Sequence, residues 1–423
     1  MASFGEGIFY IFSFLSLYVQ VFFIITYIEK RKEIFIRKDK IELANYPTVT
    51  IIVPCYNESR TVEKTILSLL ALDYPTESLK LVLVDDGSTD NTREVLESYK
   101  GNPMITVLSK KNGGKHTAMN LGLEHTNSEF VGGLDADSFV HPEALKRIIS
   151  YFDDKKTMAV SSAVVVHEPK NILQKAQKVE YHFGVFMKKM LGTIGGIHVA
   201  PGPFTIFRKR VFDDLGPYRK AHNTEDAEIA LRMQKNGYKI DHCPDGYVYT
   251  VTPNTIPKLY RQRVRWIYGF LKNAKDYRGL FFNKKYGNIG FFTLPAGILS
   301  VFAIIYVFAS TAYHLAVYLS NTFTRISATG FSSTFKISSF NWFFLNTETI
   351  TFLAILLTVL LIISLLLGQK MVEGKMRPSF HMVYFFILSS VLAPIWLTKA
   401  LYNAVFAKES SWTDERPAFI NKV

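Results

Sequence analysis

The sequence predicts an α/β domain with a parallel sheet, set among about four helices that cross a membrane. Three observations predict it. Between residues 48 and 137, short β-branched runs alternate with helical patterns, the pitch of parallel strands joined by crossover helices. Polar clusters fall at the ends of those runs, where such sheets bind ligands. Four stretches, 8–28, 288–318, 349–368 and 378–398, are long, apolar and free of Asp, Glu, Lys and Arg. Each reaches the roughly 20 residues that a spanning helix needs.

Taken in order, the first apolar run is too long for a signal peptide. It also lacks a basic leader before it and a small-residue cleavage site after it. The basic segment EKRKEIFIRKDK follows at 29–40, which marks that side as cytoplasmic. TVTIIVP (48–54) reads as a buried strand, TVEKTILSLLAL as a helix and LKLVLVDD (79–86) as a second strand. DGSTDNT is a turn and helix start, ITVLSKK a weak third strand, and HTAMNLGLEH a helix. EFVGGLDAD (129–137) reads as the fourth strand, and NTEDAEIALRMQKNGY (223–238) opens a helix with three acids near its start.

The expected division is an N-terminal span (1–30), a cytoplasmic domain (31–285) with interfacial helices near 255–280, three further spans (286–405) and a tail (406–423). The basic segment QKMVEGKMRP, between the last two spans, belongs on the cytoplasmic side. The loop at about 319–347 falls outside, and strict alternation places the tail there too.

Lys and Arg outnumber Asp and Glu 49 to 36, a net charge of +13. Juxtamembrane lysines facing membrane lipids account for much of that excess, so nucleic acid is not among the expected partners. Cys55 and Cys243 have no metal-ligand spacing and read as inert core thiols.

Several clusters could carry chemistry. In an extended strand, Asp135 and Asp137 of DAD point the same way, and paired carboxylates call for a divalent cation. Oxygen-only ligands suit Mg²⁺ or Mn²⁺ on phosphate oxygens, although an isolated DxD is usually only a turn. Asp85 and Asp86 end a strand, where a carboxylate can accept hydrogen bonds from a base or ribose. NGGKHTAMN (112–120) looks like a phosphate cradle, with Gly113 and Gly114 for close backbone approach and Lys115 for charge. A carboxylate in TED (224–226), at a helix start, could serve as a general base; His222 beside it reads as a lone surface histidine. In RQRVRWIYGF (261–270), helical spacing puts Gln262, Arg265 and Trp266 on one face. Alone, that segment reads as an interfacial helix.

Together and in this order, PCYNE (54–58), VDDGSTDNT (84–92), NGGKHTAMN, DAD, GPF (202–204), TED and QRVRW (262–266) resemble the processive, membrane-bound family-2 glycosyltransferases. That family includes the cellulose, chitin, hyaluronan and poly-N-acetylglucosamine synthases. The resemblance covers roughly 48–280, and TED followed by QxxRW and then by spans is its specific part. One span before the domain and three after it resembles the compact poly-N-acetylglucosamine synthases, whereas GPF resembles the acceptor motif of chitin and hyaluronan synthases.

The resemblance implies a Rossmann-like nucleotide-sugar transferase domain, of the A-type glycosyltransferase fold. It would add sugars, N-acetylglucosamine foremost, from a UDP-sugar to a β-linked glycan with inversion, and pass the product through its own spans at the plasma membrane. It further implies Pro54, Tyr56, Glu58, Asp86, Lys115 and Asp135 at the nucleotide-sugar, and Asp137 at a Mg²⁺ or Mn²⁺ ion. Asp226 would be the catalytic base. Gln262, Trp266, Gly202, Pro203, Phe204 and Glu225 would lie at the acceptor, and Arg263 and Arg265 at the departing diphosphate. An accessory subunit is left open. Two other readings remain beside it: a non-processive transferase acting on a lipid-linked or short acceptor, and an inactive scaffold subunit.

Overall fold

The computed structural model describes residues 4–34, 41–330 and 349–406. The chain begins with a long helix, α1 (Phe4–Ile34). β1 (Val49–Cys55), α2 (Val62–Leu70), β2 (Leu79–Asp85), α3 (Thr92–Glu97), β3 (Ile105–Ser109), α4 (Lys115–Glu124) and β4 (Phe130–Gly133) follow. These are the elements that the alternating pattern predicts. The domain continues with β5 (Ser138–Val140), α5 (Ala144–Ile149), β6 (Thr157–Val166), α6 (Ile172–Thr193) and β7 (Ile206–Arg208). It closes with α7 (Arg210–Leu215), α8 (Glu225–Lys235), β8 (Lys239–Thr250) and α9 (Ile256–Asp276). Three long helices come last: α10 (Leu294–Thr329), α11 (Thr349–Glu373) and α12 (Phe380–Phe406).

The eight strands form one sheet in the order β3-β2-β1-β4-β7-β6-β8-β5. The predicted parallel arrangement holds for its first half, where β1 pairs in parallel with β2 and β4, and β2 with β3. The second half corrects the expectation, because the sheet is mixed. β7 runs antiparallel to both β4 and β6, and β5 antiparallel to β8. β5 and β7 are three residues each, too short to leave a period-two signature in the sequence. The fourth strand also ends earlier than predicted. It stops at Gly133, so Asp135 and Asp137 sit in a turn before β5 rather than in extended chain.

Both faces of β1 and β2 are covered, which explains their unbroken apolar sequence. Val49, Ile51, Val53, Leu79, Leu81 and Leu83 pack on one face with α2 and α5. Ile52, Val82 and Val84 pack on the other with α4, α6 and α8. This second core runs on without a break into Phe23 and Tyr27 of α1 and Leu367 and Met371 of α11. Gly368 lets α11 come close to α6, since a Cβ there would lie 2.5 Å from the His182 carbonyl oxygen. A Lys178–Glu373 ion pair of 2.8 Å joins the same two helices. Cys55 and Cys243 are buried and unbridged, as expected of core thiols.

Among the described residues, four helices are long and apolar enough to cross a membrane: Gly7–Lys32, Ile289–Thr329, Thr349–Glu373 and Phe380–Phe406. The second, at 41 residues, extends about 60 Å at a rise of ~1.5 Å per residue, about twice a bilayer core. Residues 319–329, expected in a loop, are therefore helix. The rest of that loop from 331, residues 35–40 of the basic segment and the tail from 407 lie outside the described residues.

Candidate active site

The strand order reverses at β1: β2 and β3 lie on one side and β4 on the other. Chain leaving β1 and chain leaving β4 therefore diverge, and the crevice between them is where such sheets bind ligands. A cavity of about 510 Å³ opens there. Pro54 at the end of β1, Tyr56 and Glu58 just after it, Asp86 after β2, and Asp135 and Asp137 after β4 all line it.

The loop after β1 is laced to the loop after β2. Asn57 Oδ1 accepts from the Thr89 N–H at 2.7 Å, and Thr92 Oγ1 accepts from the Glu58 N–H at 2.8 Å. Asp90 accepts from Ser59 and Thr92, and those bonds outweigh its slight burial and hold its carboxyl below the usual range.

Asp86 does something the sequence did not suggest. Its buried carboxylate accepts from Lys110 Nζ at 2.7 Å and from the N–H groups of Gly113 and Gly114 at 3.0 and 2.9 Å. The expected phosphate cradle is thereby corrected, because those two N–H groups are directed at the protein's own carboxylate. Gly114 takes φ +90° to begin α4, a conformation that side chains rarely adopt. The turn delivers Lys115 into the cavity, where Nζ lies 2.5 Å from Asp135 and 3.4 Å from Glu225. Burial alone would lower the Lys115 pKa, but the surrounding carboxylates hold it well above its ordinary value. Gly202 lies against this ammonium, which a Cβ at that position would displace.

Asp137 is pushed up to about 6 by burial, then by Asp135 and Glu58. A buried carboxylate crowded by like charges is a donor set that a hard divalent cation relieves, and oxygen ligands fit Mg²⁺ or Mn²⁺. Among the described residues no three His, Cys, Asp or Glu side chains form a closed metal cage. An ion here would complete its shell with phosphate oxygens and water, the habit of Mg²⁺ sites.

TED is presented by a strained turn. Ala221, His222 and Asn223 take φ of 42°, 55° and 60°, three successive left-handed non-glycine residues. The turn is clamped to α9, where His222 Nε2 meets Asp276 at 2.8 Å and Asn273 Nδ2 donates to Thr224 Oγ1 at 2.9 Å. His222 is thus a tether and not the lone surface residue expected. Asp226 lines the cavity and is pushed up to about 6 by burial and Glu225, against the pull of Lys115 and the Ala227 N–H.

Gln262, Arg265 and Trp266 share the cavity-facing side of α9, as helical spacing requires. Arg263 also reaches the cavity. It pairs with Glu180 at 2.9 Å and lies 4.4 Å from the Trp266 ring centroid.

Every residue that the family resemblance implies lines the cavity except Phe204, whereas Asp85, Gly113 and Gly114, offered by the motifs alone, do not. Gly202 and Pro203 are there, but the Phe204 side chain is fully buried in the core beneath the sheet, with φ +60°. Conversely, one wall was missed: Glu180, Tyr181, Gly184 and Lys188 of α6. The available signal was a non-apolar face at 181, 184 and 188, spaced i, i+3, i+7, in a helix otherwise rich in apolar residues. Burial pulls the Lys188 pKa down to about 8, against the opposing effect of Asp226.

Comparison with known proteins agrees with this architecture. Residues 50–216 match the family described as glycosyl transferase family 2. Over 359 residues the chain is 30% identical to the poly-beta-1,6-N-acetyl-D-glucosamine synthase of Staphylococcus epidermidis, covering 84% of each chain. It is 33% identical over 236 residues to the synthase of that name from Staphylococcus aureus strain COL, covering 55% of this chain and 57% of that one. In fold it resembles the mannosyltransferase PcManGT of Pyrobaculum calidifontis, solved with GDP-Man and Mn²⁺. The TM-score is 0.61 at 18% identity, over 95% of this chain and 100% of that one.

Proposed function

The chain belongs to the family-2 glycosyltransferases, and on that premise we propose that it is an inverting polysaccharide synthase extending a β-linked N-acetylglucosamine polymer from UDP-N-acetylglucosamine. One observation carries the reading. Asp226, the Asp135–Asp137 turn and the Gln262–Arg265–Trp266 face of α9 all line a single cavity.

In this reading the nucleotide lies over the ends of β1 and β2, beside Pro54, Tyr56, Glu58 and Asp86. Lys115 and Asp135 hold the donor sugar and ribose. Asp137 would hold a divalent ion, which would supply charge neutralisation to the diphosphate. The acceptor glycan lies between Gly202–Pro203 and α9, its sugar stacked on Trp266. Gln262 Oε1, buried without a hydrogen-bond partner among the described residues, accepts from a sugar hydroxyl. Glu225 flanks the acceptor and steadies Lys115.

Asp226 takes the proton of the acceptor hydroxyl as its oxygen attacks the anomeric carbon. The bond to the diphosphate breaks on the opposite face, and UDP departs. General-base action contributes ~10²–10⁴-fold. Arg265 supplies cationic charge where negative charge develops, a term that is often larger. The growing chain is retained for repeated addition and leaves through α1 and α10–α12, with the catalytic domain on the cytoplasmic side.

Purified protein in detergent with Mg²⁺ or Mn²⁺ should release UDP with UDP-N-acetylglucosamine among a panel of UDP-sugars, and Asp226→Asn should abolish release. Product sizing then reads processivity, since long products at low donor conversion mark retention of the chain. Folded protein silent with every donor, or active as Asp226→Asn, would overturn the reading.

A further inference from the structure

The sequence suggested that Arg263 and Arg265 both serve the departing diphosphate. Their surroundings differ. Arg263 is only 6% exposed, and its Nη2 pairs with Glu180 Oε2 at 2.9 Å. Its guanidinium lies over the Trp266 indole, 4.4 Å from the ring centroid. Glu180 comes from α6 and belongs to none of the sequence motifs, yet both members of the pair line the cavity beside Trp266.

We propose that Glu180 and Arg263 form a brace that sets Trp266 as a one-faced platform for the acceptor glycan, Glu180 being a positioning residue of the site. The inference rests on the acceptor reading of Trp266 given above. Three physical points carry it. A guanidinium already neutralised by a carboxylate is a poor diphosphate ligand, because the phosphate must displace the carboxylate and meet its repulsion. A planar cation stacked on an indole fixes the ring's tilt and covers one of its two faces. Trp266 is 38% exposed, so the remaining surface is what a sugar can meet. Finally, Arg263 and Trp266 stand at i and i+3 on α9 and cannot set their own rotation about that helix. Glu180 fixes it from a second helix.

Removing the carboxylate leaves a buried guanidinium without its anion, which then relaxes away from the ring. The full-length protein is assayed for transfer from UDP-N-acetylglucosamine to a defined β-linked N-acetylglucosamine oligosaccharide. Glu180→Gln should raise the acceptor KM about tenfold, the scale of a lost partly buried cation–π contact. The donor KM should stay within about twofold. Glu180→Asp, which keeps the charge, should recover most of the acceptor affinity. It also provides the readout if the Gln variant fails to fold. Glu180→Gln combined with Trp266→Ala should be no worse than Trp266→Ala alone, because the brace has nothing left to position.

Additive losses in that double variant would overturn the brace. So would a raised donor KM with an unchanged acceptor KM, since Arg263 would then serve the diphosphate. Equal losses in the Asp and Gln variants would also reject it. Wild-type protein that is folded but transfers to no acceptor would strike the underlying transfer reading, an outcome distinct from the other three.

Discussion

Lys115 Nζ lies 2.5 Å from the Asp135 carboxylate, joining the first turn of α4 to the turn between β4 and β5. The same ammonium reaches Glu225, next to the proposed base, at 3.4 Å. One cation therefore ties the donor side of the cavity to the acceptor side. Lys115→Met should raise the donor KM by about tenfold or more, because Asp135 loses its counterion beside Asp137. Steady-state kinetics at saturating acceptor would show it, and an unchanged donor KM would remove Lys115 from the donor site.

The pH profile should have an acid limb near 6. Asp226 is pushed up to about 6 by burial and Glu225, and a base must be ionised, so kcat/KM falls as pH drops below that value. Glu225, Asp135, Lys115, Lys188 and Tyr218 all act electrostatically with it. Lys188, with its own pKa near 8, is charged at pH 6 and favours the carboxylate. Lys188→Met should therefore move the acid limb to higher pH. A profile flat down to pH 5 would contradict the assignment of Asp226.

The same shift has a stability consequence with a definite sign. The folded-state pKa of Asp226 lies above the ordinary carboxylate value, so folding favours the protonated form. The cost grows as pH rises from about 4 through 6 and is fully present above that. Asp226→Asn should raise the thermal midpoint at pH 7.5 and have little effect near pH 4. A lower midpoint at pH 7.5 would show that the carboxylate is structurally required.

Chelation should abolish transfer, and excess Mg²⁺ or Mn²⁺ should restore it. In the proposed site Asp137 would contribute a side-chain oxygen, and its carboxyl is crowded by Asp135 and Glu58. Asp137→Asn should raise the metal concentration for half-maximal rate by about tenfold or more. Full activity in excess EDTA would rule out a divalent ion at this turn.

Gly269 of α9 packs against Thr224 of TED, and a Cβ there would overlap the threonine side chain. Gly269→Ala should destabilise the domain by about 1–3 kcal/mol. It should also lower kcat, because Asp226 and the Gln262–Trp266 face would be pushed apart. Calorimetry read with single-turnover rates tests both. Wild-type kcat in the variant would mean that the α8–α9 spacing is not critical.

Local pattern was enough to read the first half of the sheet, the spans and the residues at the strand ends. Alternation of Val49, Ile51 and Val53 against Ile52 sorts one strand onto two cores, and a parallel sheet puts the polar ends of its strands at one crevice. The spacing of Gln262, Arg265 and Trp266 likewise fixes a shared helix face. These are short-range facts of strand and helix geometry, and a sequence states them directly.

Tertiary structure decided the rest, because it depends on partners far apart in the chain. Glu180 meets Arg263 across 83 residues, and Asp86 turns to Gly113 and Gly114 rather than to open space. Phe204 goes into the core, packed with residues as distant as Val53 and Val160, and its backbone takes φ +60°. The α6 wall with Lys188 exists only once α6 has packed between the sheet and the membrane-spanning helices. Residue type and spacing say what a side chain can do; which charge neutralises it, and on which side it is buried, is settled when the sheet closes and the helices dock.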